Sequence, residues 1–406
     1  MEAINILHIS KKIPYPQRDG ESVASYALAT SLAEFPNISI DLLSLHTNKH
    51  TTDEVEAKKE LSRYREAIFI DHNLTVNPLS FIQTTFSSQS YNINRFHSKA
   101  LSTELKISLK KKHYNFVLLE TIYTTTYIQV IREVSPLTGI ILRLHNIEHL
   151  IWEQRAMKEA NPIKKQVFQS LSKQLRQYKQ NILPSLDKVI TMSTTDQQWM
   201  IKSKLVNSEN LHYLPVGFNT LKPFKAADRE NTVLKIGFIG SMDWDPNVTG
   251  LDWFIKQVWG DHFSKLDTVR LHLAGRKYPM GLYESVGGVV EHGEVPDAGE
   301  FLDTIDVLIA PLFIGSGVRI KILEAMSRGK AIIASTVGIA GIDAIANRHA
   351  VIANNENEFV HAIQTLVDNR NQLVALQQNA FSFIEENYSH DQMVKSLVNL
   401  LNEMKA

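Results

Sequence analysis

Short apolar runs alternate with longer segments of helical period along the whole chain. In the first half, the runs at 4–9, 39–45, 67–70, 116–119, 139–144 and 188–191 read as strands. A polar stretch, "LKPFKAADRENT", follows "LHYLPVGFNT" and breaks the pattern. It restarts with runs at 234–239, 268–274, 289–292, 307–310 and 331–335. Strands alternating with helix-length segments predict parallel βαβ units. Each half opens on an apolar strand that ends at a turn, "INILHIS" and "LKIGFIGSM". The reading is therefore an α/β chain of two Rossmann-like domains, divided near 220–232.

Size and composition agree with that division. At 406 residues the chain exceeds what one core supports. Its 44% apolar and 21% charged residues are those of an ordinary folded protein. No cysteine is present, which excludes disulfides and thiolate metal sites and fits a reducing compartment. "MEAINILHIS" reads as a first strand rather than a signal peptide, and no run approaches the roughly 18 apolar residues of a spanning helix. A soluble, cytoplasmic protein is expected. Its charge is uneven: residues 1–220 carry 26 Lys and Arg against 20 Asp and Glu, and residues 221–406 carry 17 against 23. The basic residues gather at 109–113 and 164–180. Such clusters are either solvated helix faces or a surface drawn to an anionic acceptor or to the inner face of the membrane, where each cation is worth about 1 kcal/mol.

In open α/β sheets ligands bind beyond the carboxyl ends of the strands, and two such domains facing each other would enclose a cleft there. The residues at those ends include Asp19, Gly20, Glu120, His145, Ser241, Gly275, Arg276, Gly293 and Glu294. The richest stretch is "IAPLFIGSGVRIKILEAMSRGKAII", read as a strand end, a turn at Gly315-Ser316-Gly317, and a helix over 318–328 stopped by Gly329. Arg319 and Lys321 then stand at a helix start, the end of the dipole that disfavours cations. An anion resolves the conflict: glycines bring backbone N–H groups close, and the two cations neutralise phosphates. A surface pair between Lys321 and Glu324, at about 0.3 kcal/mol, explains neither the glycines nor Arg319. Glu324, one turn into the helix, could accept hydrogen bonds from the vicinal hydroxyls of a ribose.

The run "GSGVRIKILEAMSRGKAIIASTVGIAGI" resembles the donor-binding segment of the retaining glycosyltransferases of family 4, also called glycosyltransferase group 1, which have the two-domain GT-B fold. The likeness extends over most of the C-terminal half and more loosely over the N-terminal half. "ISKKIPYPQRDGESVASYALATSLAEF" is similar to the family's first loop and helix, which implies that Asp19 and Gly20 approach donor phosphates and acceptor. "ILRLHNIEHLIWEQ" resembles the segment in which a His, here His145, meets the donor sugar. "ITMSTTDQQWM" and "LPVGFNT" look like the last strand of the first domain and the exit from it. "LAGRK" and "HGEV", with Gly275, Arg276 and Val295, stand where the family contacts the nucleotide base. "FIEENYSHDQMVKSLVNLL" is similar to a C-terminal helix that returns to the first domain. The implied division is 1–220 for the acceptor, with Asp19 and Glu120 as acceptor contacts, 221–385 for the donor, and 386–406 for the returning helix.

Two departures qualify the likeness, and two metal-like patterns have plainer readings. Ser316 stands eight residues before Glu324, where many members carry a second glutamate, so donor identity does not transfer. The first loop of the second domain, "GSMDWDPNVTG", lacks the Arg and Lys with which many members hold the diphosphate, leaving that work to Arg319 and Lys321. "DWD" at 243–245 has the form of a divalent-metal motif, but it follows a Rossmann strand and precedes Pro246, so a loop and helix start is expected. His145 and His149 are four apart, but a third metal ligand is missing.

The resulting expectation is transfer of a sugar from a nucleoside diphosphate to a carbohydrate or lipid-linked hydroxyl, with retained configuration, no metal, no cofactor and no nucleic-acid partner. Arg319, Lys321 and the Gly315–Gly317 turn would stabilise the leaving diphosphate. Three other readings stand beside it. A non-hydrolysing UDP-sugar epimerase would need acid/base groups from His145, Glu148 and Glu120, and a catalytically silent nucleotide-sugar-binding partner would bind without turnover. An NAD-dependent oxidoreductase lacks its GxGxxG after either opening strand.

Overall fold

A computed structural model describes residues 3–75, 90–218, 224, 233–315 and 317–405. The chain divides into two compact units, 1–217 with 393–406, and 218–392. The first contains a seven-stranded sheet of β1 (Ile4–Ser10), β2 (Ile38–Thr47), β3 (Glu66–His72), β4 (Phe116–Glu120), β5 (Gly139–Leu144), β6 (Lys188–Thr191) and β7 (Leu211–Tyr213). Its order is β3-β2-β1-β4-β5-β6-β7, with every pairing parallel. Residues of β1, β2, β4 and β5 are almost all buried, as they must be when helices cover both faces of a parallel sheet. Strand order reverses between β1 and β4, which makes their carboxyl ends the ligand-binding switch point of such a sheet.

Three helices of this unit position the candidate residues. α1 (Gly20–Leu32) follows β1 and is N-capped by Asp19. α2 (Glu148–Lys158) follows β5, and α3 (Pro162–Ile182) starts with Asn161 as N-cap and Pro162 in its first turn. β7 was not among the predicted strands. With only Leu211 buried in three residues it shows no apolar run, and the first sheet ends there rather than at Thr191.

The second unit contains β8 (Leu234–Ile239), β9 (Val269–Ala274), β10 (Val289–Gly293), β11 (Val307–Ala310), β12 (Ala331–Ala334) and β13 (Val351–Ile352). They form a parallel sheet in the order β10-β9-β8-β11-β12-β13, whose switch point lies between β8 and β11. β13, two residues long and only half-buried, also escaped the sequence reading. After β11 the chain turns through Gly315 and Gly317 into α4 (Ile320–Ser327), two residues shorter at its start than the sequence suggested and one shorter at its end.

The last helix, α5 (His390–Lys405), carries Met393, Val394, Leu397, Leu400 and Leu401 into the core of the first unit, where they pack with Ile4, Ile6, Leu28, Ile40 and Ile190. Their spacing puts them on one helical stripe. Leu7, Ile9, Val117, Leu119, Ile140 and Leu142 point to the sheet's other face, as the two-residue period of a strand requires. Among the described residues no helix is long and apolar enough to cross a membrane.

Candidate functional site

Three neighbouring strands deliver a buried charge network at the switch point of the first sheet. Glu120 closes β4 and is 0% exposed. Its Oε2 lies 3.0 Å from Nε2 of His8 in β1, and its Oε1 accepts from Arg143 Nη1 of β5 at 3.0 Å. The same Oε1 meets Nε2 of His145, the residue that follows β5. Behind it, His8 Nδ1 is 2.9 Å from the Tyr64 hydroxyl, and Arg143 donates a second bond to the Ala24 carbonyl at 3.1 Å. Burial opposes ionisation of Glu120, but Arg143 and His145 outweigh it and hold the carboxyl well below the usual range. The next residue, Thr121, takes a left-handed φ of 69°, a conformation that costs a β-branched residue roughly 1–3 kcal/mol. Its N–H donates to the Arg143 carbonyl at 2.9 Å and ties the turn to β5.

A second group surrounds the start of α1. Lys12 Nζ is 2.7 and 2.5 Å from the two Asp19 oxygens, and the Ser22 N–H and hydroxyl donate to Asp19 at 3.0 and 3.1 Å. Burial again opposes ionisation, yet Lys12 and these donors hold Asp19 well below the usual carboxylate range. Gly20 opens the helix, and Glu21 pairs with Lys11 at 2.9 Å.

The second unit places its cations on the loop and helix after β11. Lys321 Nζ donates to the carbonyl of Ile239, the last residue of β8, so α4 is pinned across the switch point. Burial, then the charge of Arg319, lower the Lys321 pKa to about 8. Arg319 precedes the first helical residue and its Nη1 donates to the Gly317 carbonyl at 3.3 Å. Gly315 has φ 141°, and a Cβ there would stand 2.0 Å from Arg319 Nη2, so this guanidinium position requires glycine. Glu324, half-buried and 3.9 Å from Arg328, has its pKa raised by burial despite that neighbour. Ser316, expected in the same turn, lies outside the described residues.

The loops after β8, β9 and β10 interlock. Gly275 sits so close to the Gly240 carbonyl that a Cβ would fall 1.8 Å from its oxygen. Arg276 donates from Nε to the Ser241 hydroxyl at 3.0 Å and from Nη2 to both Asp243 oxygens at 2.9 Å, while Lys277 Nζ is 3.3 Å from Asp243. Glu294 accepts from the Lys277 N–H at 3.0 Å, and Val295 beside it is half-buried. The side chains of Ser241 and Arg276, expected as donor contacts, are thus engaged with each other and with Asp243. The first loop of this unit receives its cations from the loop after β9, an arrangement that sequence order hides.

Two other expectations change or sharpen. Glu120 was expected to touch the acceptor, but it is buried with both oxygens occupied, so it has no face to offer a hydroxyl. Asp245 opens the helix Asp245–Trp253, with Pro246 in its first turn, as its context in the sequence suggests. Among the described residues one three-residue set could hold an ion, His46, Glu54 and Asp71 of the first unit, and it includes neither Asp243 nor Asp245. His149 lies inside α2, its ring 5.0 Å from that of Trp199. Burial, then Lys179 and Arg176, depress its pKa to about 3, so it is neutral at physiological pH. Glu148 is paired with the buried Lys179 at 2.5 Å. Sequence reasoning missed His8 and Lys12. The signals were a His inside the apolar "INILHIS" and a double lysine directly after it.

Residues 234–369 match the profile of the family described as "Glycosyl transferases group 1". A 44.6 kDa protein in the cps region of Klebsiella pneumoniae is 24% identical over 405 residues, covering 97% of this chain and 98% of that protein. Sucrose-phosphate synthase from Thermosynechococcus elongatus superposes with a TM-score of 0.73 at 14% identity, over 99% of each chain. Anabaena Alr3699/HepE in complex with UDP and glucose gives 0.68 at 11%, over 98% of this chain and 99% of that one. The fold is the two-domain α/β fold of the GT-B glycosyltransferases. Together with the family match, it supports a group 1 glycosyltransferase.

Proposed function

We propose that the chain is a retaining, metal-independent glycosyltransferase of family 4 that moves a sugar from a nucleoside diphosphate to a hydroxyl of a carbohydrate or lipid-linked acceptor, in the cytoplasm. One observation carries the reading: Lys321, half-buried in the first turn of α4, donates to the Ile239 carbonyl across the switch point and is crowded first by burial and then by the charge of Arg319, which lower its pKa to about 8. An incoming diphosphate relieves that crowding. As the bond from anomeric carbon to phosphate oxygen breaks, Arg319, Lys321 and the Gly315–Gly317 backbone stabilise the leaving anion. The acceptor oxygen then attacks from the same face, and its proton passes to the leaving phosphate. His145 positions the donor sugar, Glu324 takes the ribose hydroxyls, and Gly275, Arg276 and Val295 border the base. Gly20 borders the donor phosphates, and Asp19 borders the acceptor. Glu120 and Glu148 are committed to buried ion pairs, which argues against a double displacement through either. The same commitment leaves an epimerase short of acid/base groups.

A panel of nucleotide sugars screened by thermal shift tests this, since ligand at 100-fold saturation stabilises by about 2.7 kcal/mol. Sugar transfer from the stabilising donor should then survive EDTA. Stabilisation by no donor overturns the transferase reading, while activity lost to EDTA and restored by magnesium or manganese overturns its metal independence. The cps-region relative supports a role in surface polysaccharide or glycoconjugate assembly.

A pH dependence follows from Lys321. Its free-state pKa is depressed to about 8, and a bound diphosphate raises it. Below that pH the lysine is charged in both states and affinity is highest; above it, binding must take up a proton. Between pH 7 and 9 nucleoside-diphosphate affinity should therefore fall about tenfold. Calorimetry in buffers of different ionisation enthalpy measures both the fall and the proton uptake, and a flat profile contradicts the assignment.

The α2–α3 connection supports peripheral contact with an anionic membrane. Met157 and Ile163 are 70% and 75% exposed there, beside exposed Lys158, Lys164 and Lys165. Sedimentation with anionic but not neutral vesicles is expected, and failure to sediment with either removes the proposal.

A further inference from the structure

We propose that His272 and His292 form a binding site for one divalent transition-metal ion of the imidazole-preferring class, copper, nickel or zinc, which fastens the edge strand β10 to β9. The proposal stands apart from the glycosyltransferase reading and adds no step to it. The two histidines come from neighbouring strands of the second sheet. Val290 pairs opposite His272 and Glu291 opposite Leu273, and pairing resumes with Gly293 opposite Ala274, so His292 is the extra residue of a bulge. A bulge at a sheet edge re-aims a side chain. Here Nε2 of His292 comes to 2.9 Å from Nδ1 of His272, with the ring planes inclined by 28° and their centroids 5.2 Å apart. A metal bonded at roughly 2.0–2.1 Å to each of two nitrogens holds them about 2.9 Å apart at a right angle and about 3.3 Å apart at the tetrahedral angle. The pair therefore already stands at ligand spacing.

The surroundings select the ion. Burial lowers the pKa of both rings, that of His272 to about 4 with help from the charges of His292 and Lys235, so both are neutral imidazoles at physiological pH, the form that ligates. Nε2 of His272 is buried and meets no hydrogen-bond partner among the described residues, so the ring's polar engagement is its contact with His292. In the free chain one N–H stands between the two facing nitrogens; when an ion enters, that ring takes its other neutral tautomer and both lone pairs face the metal. Among the described residues no carboxylate completes the pair into a three-ligand set. Glu291, beside His292, accepts instead from the Tyr278 hydroxyl at 2.7 Å and from the N–H groups of Gly281 and Tyr283 at 2.7 and 2.9 Å. Oxygen-seeking ions such as magnesium and calcium are thus disfavoured, whereas imidazole suits zinc, nickel and copper, with copper bound tightest. His292 is exposed, which gives the ion its way in and leaves the remaining coordination positions to water.

Titration of the tag-free, chelator-stripped chain with Cu²⁺, read by calorimetry and by electron paramagnetic resonance, tests this. A tight site with nitrogen hyperfine splitting from two imidazoles is expected. His292→Ala, at an exposed position, and His272→Gln should each weaken that site more than about tenfold, since even a residue behind a metal ligand is worth about 10- to 100-fold. His46→Gln, which alters the His46, Glu54 and Asp71 set, should leave it unchanged. Zn²⁺ should raise the Tm of the wild type and not that of His292→Ala. Undiminished Cu²⁺ binding by folded His292→Ala overturns the proposal, as does a site removed by His46→Gln or a wild-type chain that binds none of the three ions. Neither readout involves sugar transfer, so failure here leaves the glycosyltransferase reading to its own tests.

Discussion

Replacing His145 by alanine is expected to lower sugar transfer by about 100-fold or more while leaving affinity for free UDP nearly unchanged. The two parts have separate causes. His145 follows β5 of the first unit, whereas Lys321 and Arg319, which we propose hold the diphosphate, belong to the second, so the substitution should leave the phosphate contacts intact. Loss of a group acting in the transition state lowers kcat and kcat/KM together, while loss of uniform binding raises KM alone. Stability should change modestly, because Glu120 keeps Arg143 on one oxygen and His8 on the other. A purely structural His145 makes the opposite forecast, a lowered melting temperature with activity per folded molecule preserved. Measuring Tm, UDP affinity and turnover on one preparation separates the two, and normal turnover in a stable variant removes His145 from the site.

Lys321→Ala and Arg319→Ala should each weaken nucleoside-diphosphate binding about ten- to 100-fold, the effect of one charge-assisted contact of roughly 1.5–3 kcal/mol. The two variants carry different signatures. Removing Arg319 takes away a neighbour that depresses Lys321, so the pH at which affinity falls should move upward from about 8. Removing Lys321 should abolish that dependence. Titration calorimetry with UDP and GDP at several pH values measures both, and unchanged affinity in folded variants refutes the phosphate role of these residues.

Much of the fold was legible because buried parallel strands are apolar throughout. The runs at 139–144, 188–191, 234–239 and 307–310 coincide with strands to the residue. β7 and β13 were not legible, since an edge strand of two or three residues carries no period. Candidate residues at strand ends were readable from their punctuation, a polar residue or glycine just after an apolar run. Their partners were not: Glu120, Arg143 and His8 come from three strands, and their pairing exists only once β4 lies between β1 and β5. A glutamate at a strand end looks like a ligand contact in sequence, and only burial shows it facing inward. Asp243 likewise reads as half of a metal motif until Arg276 and Lys277 arrive from the next loop.

The chain leaves its first unit near residue 217 and comes back to it only at 393, carrying α5. During synthesis, then, the sheet that starts at Ile4 waits until residues 393–405 have emerged. Until they emerge, the surface formed by Ile4, Ile6, Leu28 and Ile40 lacks the cover of Leu397 and Leu401. The unit that starts first is completed only after the second, residues 218–392, which can close its own sheet in the meantime. A stop codon just before Met393 leaves that seam open for good, and so hands the nascent chain to chaperones and proteases rather than to its substrate.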